Sequence, residues 1–270
     1  MQKAPIVFVH GLFVTRTCWR EWIARFERLG HRCIAPAYPA RDAAPADLRA
    51  RHPDPATAAV TLPQVLDVFT KAIRDLDQPP ILIGHSFGGL LVQLLLQRQL
   101  GGCGVAIDSV PPAGVISLRW SFLRSLLPPL NPLAPASSPY LMSFRHFCYT
   151  FVNTLPPAAQ RAAYDAQVAP ESRRLARSGL SSLARVDFAS TRPPLLLIAG
   201  SKDNIMPASL NRTNWRRYRK SPATTAYQEF AGRDHFLIGA PGWEQIADFA
   251  LQWAQANAAP ASAAAATMRH

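Results

Sequence analysis

The sequence predicts an α/β protein: a mainly parallel sheet of about six strands, with helices on both faces and a helical segment inserted after the fourth strand. Three observations predict it. Short, almost uninterrupted apolar runs recur along the chain, as strands buried on both faces require. Helical stretches with apolar stripes separate most of them, the alternation that parallel crossover connections produce. One interval, roughly 112–192, carries no such run and is too long for a plain loop in a compact fold.

The expected strands are residues 5–10, 32–38, 80–84, 103–108, 194–200 and 225–230, each bounded by Gly, Pro or polar residues. After the first, Trp19, Trp22, Ile23, Phe26 and Leu29 recur at three- and four-residue steps and form one helical stripe. Leu62, Val65, Leu66, Phe69, Ile73 and Leu76 repeat that spacing before the third strand. Residues 90–100 are apolar nearly all round, as a helix pressed against a sheet should be. The interval after the fourth strand holds helix-like pieces at 118–127, 140–155, 157–167 and 171–183, separated by prolines. A last helix spans about 243–256, with Trp243, Ile246, Phe249 and Trp253 as core contacts. Residues 259–270 carry no periodic signal and read as a frayed tail.

With 270 residues, 49% of them hydrophobic, the chain can bury one large core. No apolar stretch is long enough to cross a bilayer, so stable membrane insertion is not expected. Residues 6–9 read as the first core strand rather than a secretion signal, which makes a cytoplasmic location the expectation. The formal charge of +12 comes almost wholly from scattered arginines. The one dense cluster, Arg212, Arg216, Arg217, Arg219 and Lys220, reads as a solvated helix face, and without a nucleic-acid motif no nucleic-acid partner is expected. The four cysteines, Cys18, Cys33, Cys103 and Cys148, form no CxxC pair and no cluster with histidine. Reduced, inert thiols and no metal or other cofactor follow.

The strongest motif is Gly84-His-Ser86-Phe-Gly88, directly after a strand and directly before a helix. A sharp strand-to-helix turn lifts the central serine above the sheet, and only small residues two positions either side avoid the neighbouring elements. Ser86 is therefore the candidate nucleophile, and it needs a base. Among seven histidines, His235 lies just after the last strand and just before the last helix, on the same sheet edge. Its other nitrogen needs a carboxylate to fix the tautomer. Asp203, after the fifth strand, completes the order Ser, Asp, His. Asp108, ending the fourth strand, is the alternative acid, and Asp234 is too close in sequence to His235 for the required geometry. The backbone N–H groups of Phe87 and of Leu12, in His10-Gly-Leu-Phe13, are the candidate oxyanion donors; a plain strand-end glycine is the other reading of Gly11.

On Val9-His-Gly-Leu12, Gly84-His-Ser-Phe-Gly-Gly89, Ala199-Gly-Ser-Lys-Asp203 and Gly232-Arg-Asp-His235, the chain resembles the α/β-hydrolase superfamily from residue 5 to about 256, and especially small bacterial serine esterases with a helical cap. The resemblance implies strand order 4-3-5-6-7-8 in the family's naming, with a core of residues 1–112 and 188–258 and a cap of 113–187. It implies a serine hydrolase acting on a small, largely apolar carboxylic ester, lactone or thioester as its partner molecule, with other triad chemistry or a ligand receptor as alternatives. Phe13, His85, Trp120, Phe144 and Phe147 are the candidate substrate contacts. Two departures stand out: the family's N-terminal hairpin has no counterpart here, and residues 40–57 replace a glycine-rich turn with a long, charged, proline-bearing stretch.

Overall fold

A computed structural model describes residues 3–258, so the tail expected over 259–270 lies outside the described residues. Strand β1 (Ile6–Val9) is wholly buried and leads through a 3-10 turn to α1 (Arg20–Arg28) and the short β2 (Cys33–Ile34). Then come α2 (Pro45–Ala50), α3 (Pro55–Ala59) and α4 (Leu62–Arg74), followed by β3 (Ile81–His85), α5 (Phe87–Gln97) and β4 (Cys103–Ile107). The next four helices are α6 (Trp120–Leu130), α7 (Phe144–Thr150), α8 (Pro157–Gln167) and α9 (Arg173–Ser178). The chain closes with β5 (Leu195–Gly200), α10 (Ala208–Arg217), β6 (Thr225–Phe230) and α11 (Trp243–Asn257). Proline opens α2, α3 and α8, where its missing N–H costs nothing and its fixed φ suits the first turn. That chemistry folds part of the charged stretch 40–57 into two short helices.

All six strands are parallel, in the order β2-β1-β3-β4-β5-β6. β2 is much shorter than the expected 32–38, because Pro36 and Pro39 lack the N–H that a longer ladder needs. Adjacent residues of β4 identify the two covering layers. Cys103 Sγ lies 3.7 Å from the Ala254 carbonyl on α11, whereas a Cβ on Gly104 would stand 2.6 Å from Val92 on α5. Successive strand residues face opposite ways, so α11 and α5 cover opposite faces. Trp22 stacks on Trp243 at 6.1 Å, and Arg25 pairs with Asp248 at 2.7 Å, joining α1 to α11. On the other face Gln93 of α5 accepts from Asn214 Nδ2 of α10 at 3.0 Å.

The β4–β5 segment adds no strand to the sheet among the described residues; its one β-bridge joins Tyr140 to Glu171. That bridge takes Tyr140 out of the helix expected over 140–155, and the helix expected over 171–183 stops at Gly179. The far half of the segment is stitched to the body. Glu171 forms a buried ion pair with Arg41 at 2.5 Å, and its Oε2 accepts the Phe13 N–H at 3.4 Å. Ser172 donates to the carbonyls of Ala58 and Val60, and Arg49 donates to those of Asp165 and Val168. Arg173 in turn holds the carbonyls of Pro128 and Pro129 at the end of α6, at 2.7 and 2.8 Å.

Candidate active site

The strand order reverses between β1 and β3, and crevices at such points gather the loops that follow the strands. Ser86 occupies the turn between β3 and α5 with φ 57° and ψ −117°, a conformation that side chains other than glycine adopt only under constraint. The constraint is visible. Ser86 N–H donates to the Ile107 carbonyl at 2.8 Å, and its own carbonyl accepts from Val110 N–H at 2.9 Å. A Cβ on Gly84 would fall 2.2 Å from the Gly88 carbonyl oxygen, and one on Gly88 would fall 2.1 Å from that of Val9. Glycine at both positions lets the turn close.

Asp203 sits in the turn after β5. Its Oδ1 accepts the N–H groups of Ile205 and Met206 at 2.8 and 2.7 Å, and its Oδ2 accepts His235 Nδ1–H at 2.6 Å. Both partners are fully buried at the pairing. The donated proton on Nδ1 leaves Nε2 as the basic nitrogen of the neutral ring. Nε2 is buried and has no partner among the described residues. A bond from the Ser86 hydroxyl to this nitrogen is therefore unmade, and such bonds are often long before substrate binds. The loop carrying His235 is tied to the Ser86 turn, because His85 Nε2–H donates to the His235 carbonyl at 2.8 Å and the two rings lie 4.6 Å apart. Burial, then the proximity of His235, pushes the His85 pKa well below its usual value, so His85 is a neutral strut.

Of the two rejected or alternative acids, Asp234 faces away. Its Oδ2 accepts from the Thr154 N–H and hydroxyl at 2.9 and 2.6 Å, anchoring the loop to the β4–β5 segment. Asp108 is close: its Oδ1 accepts Gly200 N–H at 2.7 Å, and its Oδ2 stands 4.0 Å from His235 Nδ1. Burial, followed by the adjacent Asp203 charge, raises the Asp108 carboxyl well above the usual carboxylate range. The geometry thus gives Asp203 the hydrogen bond and leaves Asp108 a neutral acid beside it. His85, Asp108 and His235 have ligand atoms within 4.8 Å of one another. A metal needs deprotonated ligands, and the raised Asp108 and the His235–Asp203 bond oppose that use.

The N–H groups of Leu12 and Phe87 make no hydrogen bond among the described residues. A Cβ on Gly11 would stand 2.9 Å from that of Ser86, so glycine brings this loop against Ser86. Phe13 takes φ 67°, held by Glu171 at its N–H and by Ala169 N–H at its carbonyl, 2.8 Å away. His10 supports the same loop: its Nδ1–H donates to the Gly11 carbonyl at 2.8 Å and its ring stacks on Tyr38. Burial, then Arg41, pulls the His10 pKa down to about 3.

Leu12, Phe13, Ser86 and Phe87 share the wall of one cavity of about 460 Å³. The rest of its lining is almost wholly apolar and includes Val115, Phe122, Leu126, Ile205 and Met206. Four expected substrate contacts are not in that wall. His85 is buried and bonded to the His235 carbonyl, and Trp120 is 73% exposed on the outside of α6. Phe144 lies under the Arg161 guanidinium at 3.6 Å, and Phe147 stacks on Phe151 inside the segment. Ile205 and Met206 were missed, although they occupy the same turn as Asp203, which is the signal that marks them.

The profile of the alpha/beta hydrolase family matches residues 6–249. The chain belongs to the alpha/beta hydrolase family. No curated protein matches its sequence. Among solved structures, this alpha/beta hydrolase is similar to an extracellular alpha/beta-hydrolase from a Paenibacillus species, described as sharing structural and functional homology with tobacco salicylic acid binding protein 2. The identity is 20%, over 93% of this chain and 98% of that one, with a TM-score of 0.67. It is also similar to tomato methylketone synthase I, at 18% identity over 95% and 100% of the two chains and a TM-score of 0.68. The monoacylglycerol lipase of Paleococcus ferrophilus matches at 18% identity over 93% and 95%, with a TM-score of 0.65. At these identities the likeness is one of fold. Among the described residues, no helix of this alpha/beta hydrolase is long and apolar enough to cross a membrane.

Proposed function

We propose that this chain is a serine hydrolase that cleaves a carboxylic ester, lactone or thioester of a largely apolar substrate through an acyl-enzyme. One observation carries the reading: Ser86 and two unbonded backbone N–H groups border a single apolar cavity, beside an imidazole whose Nδ1 is bonded to Asp203 at 2.6 Å. His235 Nε2 removes the Ser86 proton as Oγ attacks the carbonyl carbon. The N–H groups of Leu12 and Phe87 hold the resulting oxyanion. Collapse expels the alcohol, which takes the proton from His235, and water repeats the sequence to release the acid and restore Ser86. Residues 113–187 act as the cap that shapes the acyl pocket over the core. The reading extends to a reducing, cytoplasmic setting: the four cysteines are unpaired, and burial pushes the Cys103 thiol up to about 12.

The test is labelling by a serine-directed fluorophosphonate, together with turnover of a panel of p-nitrophenyl esters and lactones, on wild type and Ser86→Ala. Wild type should label and turn over, and the variant should lose labelling and about four to six orders of magnitude in kcat. Equal turnover by the variant would overturn the mechanism. Labelling and tight ligand binding without turnover would instead favour a receptor.

A further inference from the structure

Among the described residues, the large hydrophobic side chains left exposed are not scattered over the molecule. All but Leu29 fall between 116 and 183, in the β4–β5 segment. Leu118 is 84% exposed, Ile116 72% and Leu127 68%. Trp120, Leu123 and Leu127 follow the spacing of one helical stripe along α6, while Phe122 and Pro129 turn inward. Ile116, Leu118, Leu123 and Leu127 are at once exposed and part of the cavity wall, so the apolar surface runs outside to inside without a break. An exposed patch of this kind marks a binding face.

Its charge says which kind. No Asp or Glu occurs from 109 to 164, where Arg119, Arg124, Arg145 and Arg161 all lie. Arg119 and Arg124 flank the α6 stripe and are exposed, and Arg174 and Arg185, near Leu180 and Leu183 in the sequence, are exposed as well. An apolar face bordered by arginine and free of nearby acidic residues in sequence fits an anionic lipid surface, where the apolar groups enter the acyl boundary and the cations meet the headgroups. A second copy fits poorly, because a symmetric pairing would set these arginines against their own copies.

We propose that this face docks on an anionic phospholipid bilayer and that the cavity is loaded from it, which makes long-chain aliphatic esters the substrate class. The substrate class rests on the proposed hydrolase function; the docking does not. Docking is tested with Ser86→Ala protein and sedimentation of phosphatidylcholine vesicles with and without phosphatidylglycerol. Binding should require phosphatidylglycerol and weaken with salt. A Trp120→Ser/Leu133→Ser/Leu183→Ser variant, altered at exposed positions outside the cavity wall, should bind about tenfold more weakly or worse. Arg119→Gln/Arg124→Gln should weaken binding by roughly tenfold. In the Ser86-intact background the triple variant should hydrolyse a short, water-soluble ester at the wild-type rate and a long-chain ester in vesicles more slowly. The blue shift of tryptophan emission on vesicle addition should disappear in Trp120→Phe.

No binding to anionic vesicles, or equal binding by the triple variant, overturns the docking. So does a wild-type dimer that the triple variant dissolves, since the face would then belong to a second copy. Vesicle binding by a protein that neither labels nor turns over would leave the docking in place and remove the hydrolase reading.

Discussion

Two carboxyl groups approach the same nitrogen of His235, and only the nearer is bonded to it: Asp203 at 2.6 Å and Asp108 at 4.0 Å. Neighbouring carboxylates in a dry site do not both ionise, and the raised Asp108 carboxyl is the one that stays neutral. Asn is a close mimic of a neutral Asp, so Asp108→Asn should keep kcat/KM within a few-fold. Asp203→Asn should cost about four orders of magnitude, by turning its amide N–H₂ toward Nδ1 and forcing the wrong tautomer. Removing the Asp203 charge also lets Asp108 ionise more easily, so the double variant should be worse than Asp203→Asn, most clearly at alkaline pH. Rate–pH profiles of the three variants check this. Stability follows the same group. Because the folded pKa of Asp108 lies above the unfolded value, the native state holds the extra proton between the two, and stability falls as pH rises through that window. Asn has no such window. Thermal melts should give Asp108→Asn the wild-type Tm near pH 4 and a higher Tm near pH 8.

At the level of elements, the Ser86 turn depends on backbone contact. Gly88→Ala would put a methyl group 2.1 Å from the Val9 carbonyl oxygen, so α5 must leave β1; a loss above about 4 kcal/mol or failure to fold is expected. Gly30→Ala provides the contrast. Its φ is +83° but nothing lies within 4 Å, so only the backbone penalty of about 1–2 kcal/mol applies. Glu171→Gln leaves the buried Arg41 charge uncompensated and should cost about 3–5 kcal/mol. Urea denaturation measures all three. The inner strands β1, β3, β4 and β5 were legible because burial on both faces leaves no alternation to misread; where prolines intervene, at Pro36 and Pro39, the apolar run overstated the edge strand β2. Ser86, Asp203 and His235 were candidates on the Gly84-His-Ser86-Phe-Gly88 motif, the chain order Ser, Asp, His and their places at strand ends. The β4–β5 segment was harder to read. An aromatic such as Phe147 suits packing inside the segment as well as the cavity, and spacing carries no mark of which it faces. The Arg41–Glu171 pair joins two loops far apart in the chain and has no local signature.

For the whole molecule, acid stability should be governed by buried histidines as well as carboxylates. His10 has a folded pKa of about 3, against roughly 6.5 for an unfolded histidine, and His85 is shifted the same way. Both bind a proton in the unfolded chain first, so the stability they contribute is present at neutral pH and is lost as pH falls below about 6.5. Urea midpoints should drop from pH 7 toward pH 4 in an Asp108→Asn background, which removes the opposite trend from Asp108. The stitching of the β4–β5 segment has a consequence of its own. Arg41, Arg49 and Ser172 pin its later half, and Arg173 grips the C-terminal end of α6. Among the described residues, 116–120 make no hydrogen bond to another element. Residues 116–120 should therefore be the part of the segment that yields first, so that a long acyl chain would enter past the leucine- and tryptophan-bearing edge with its carbonyl deepest.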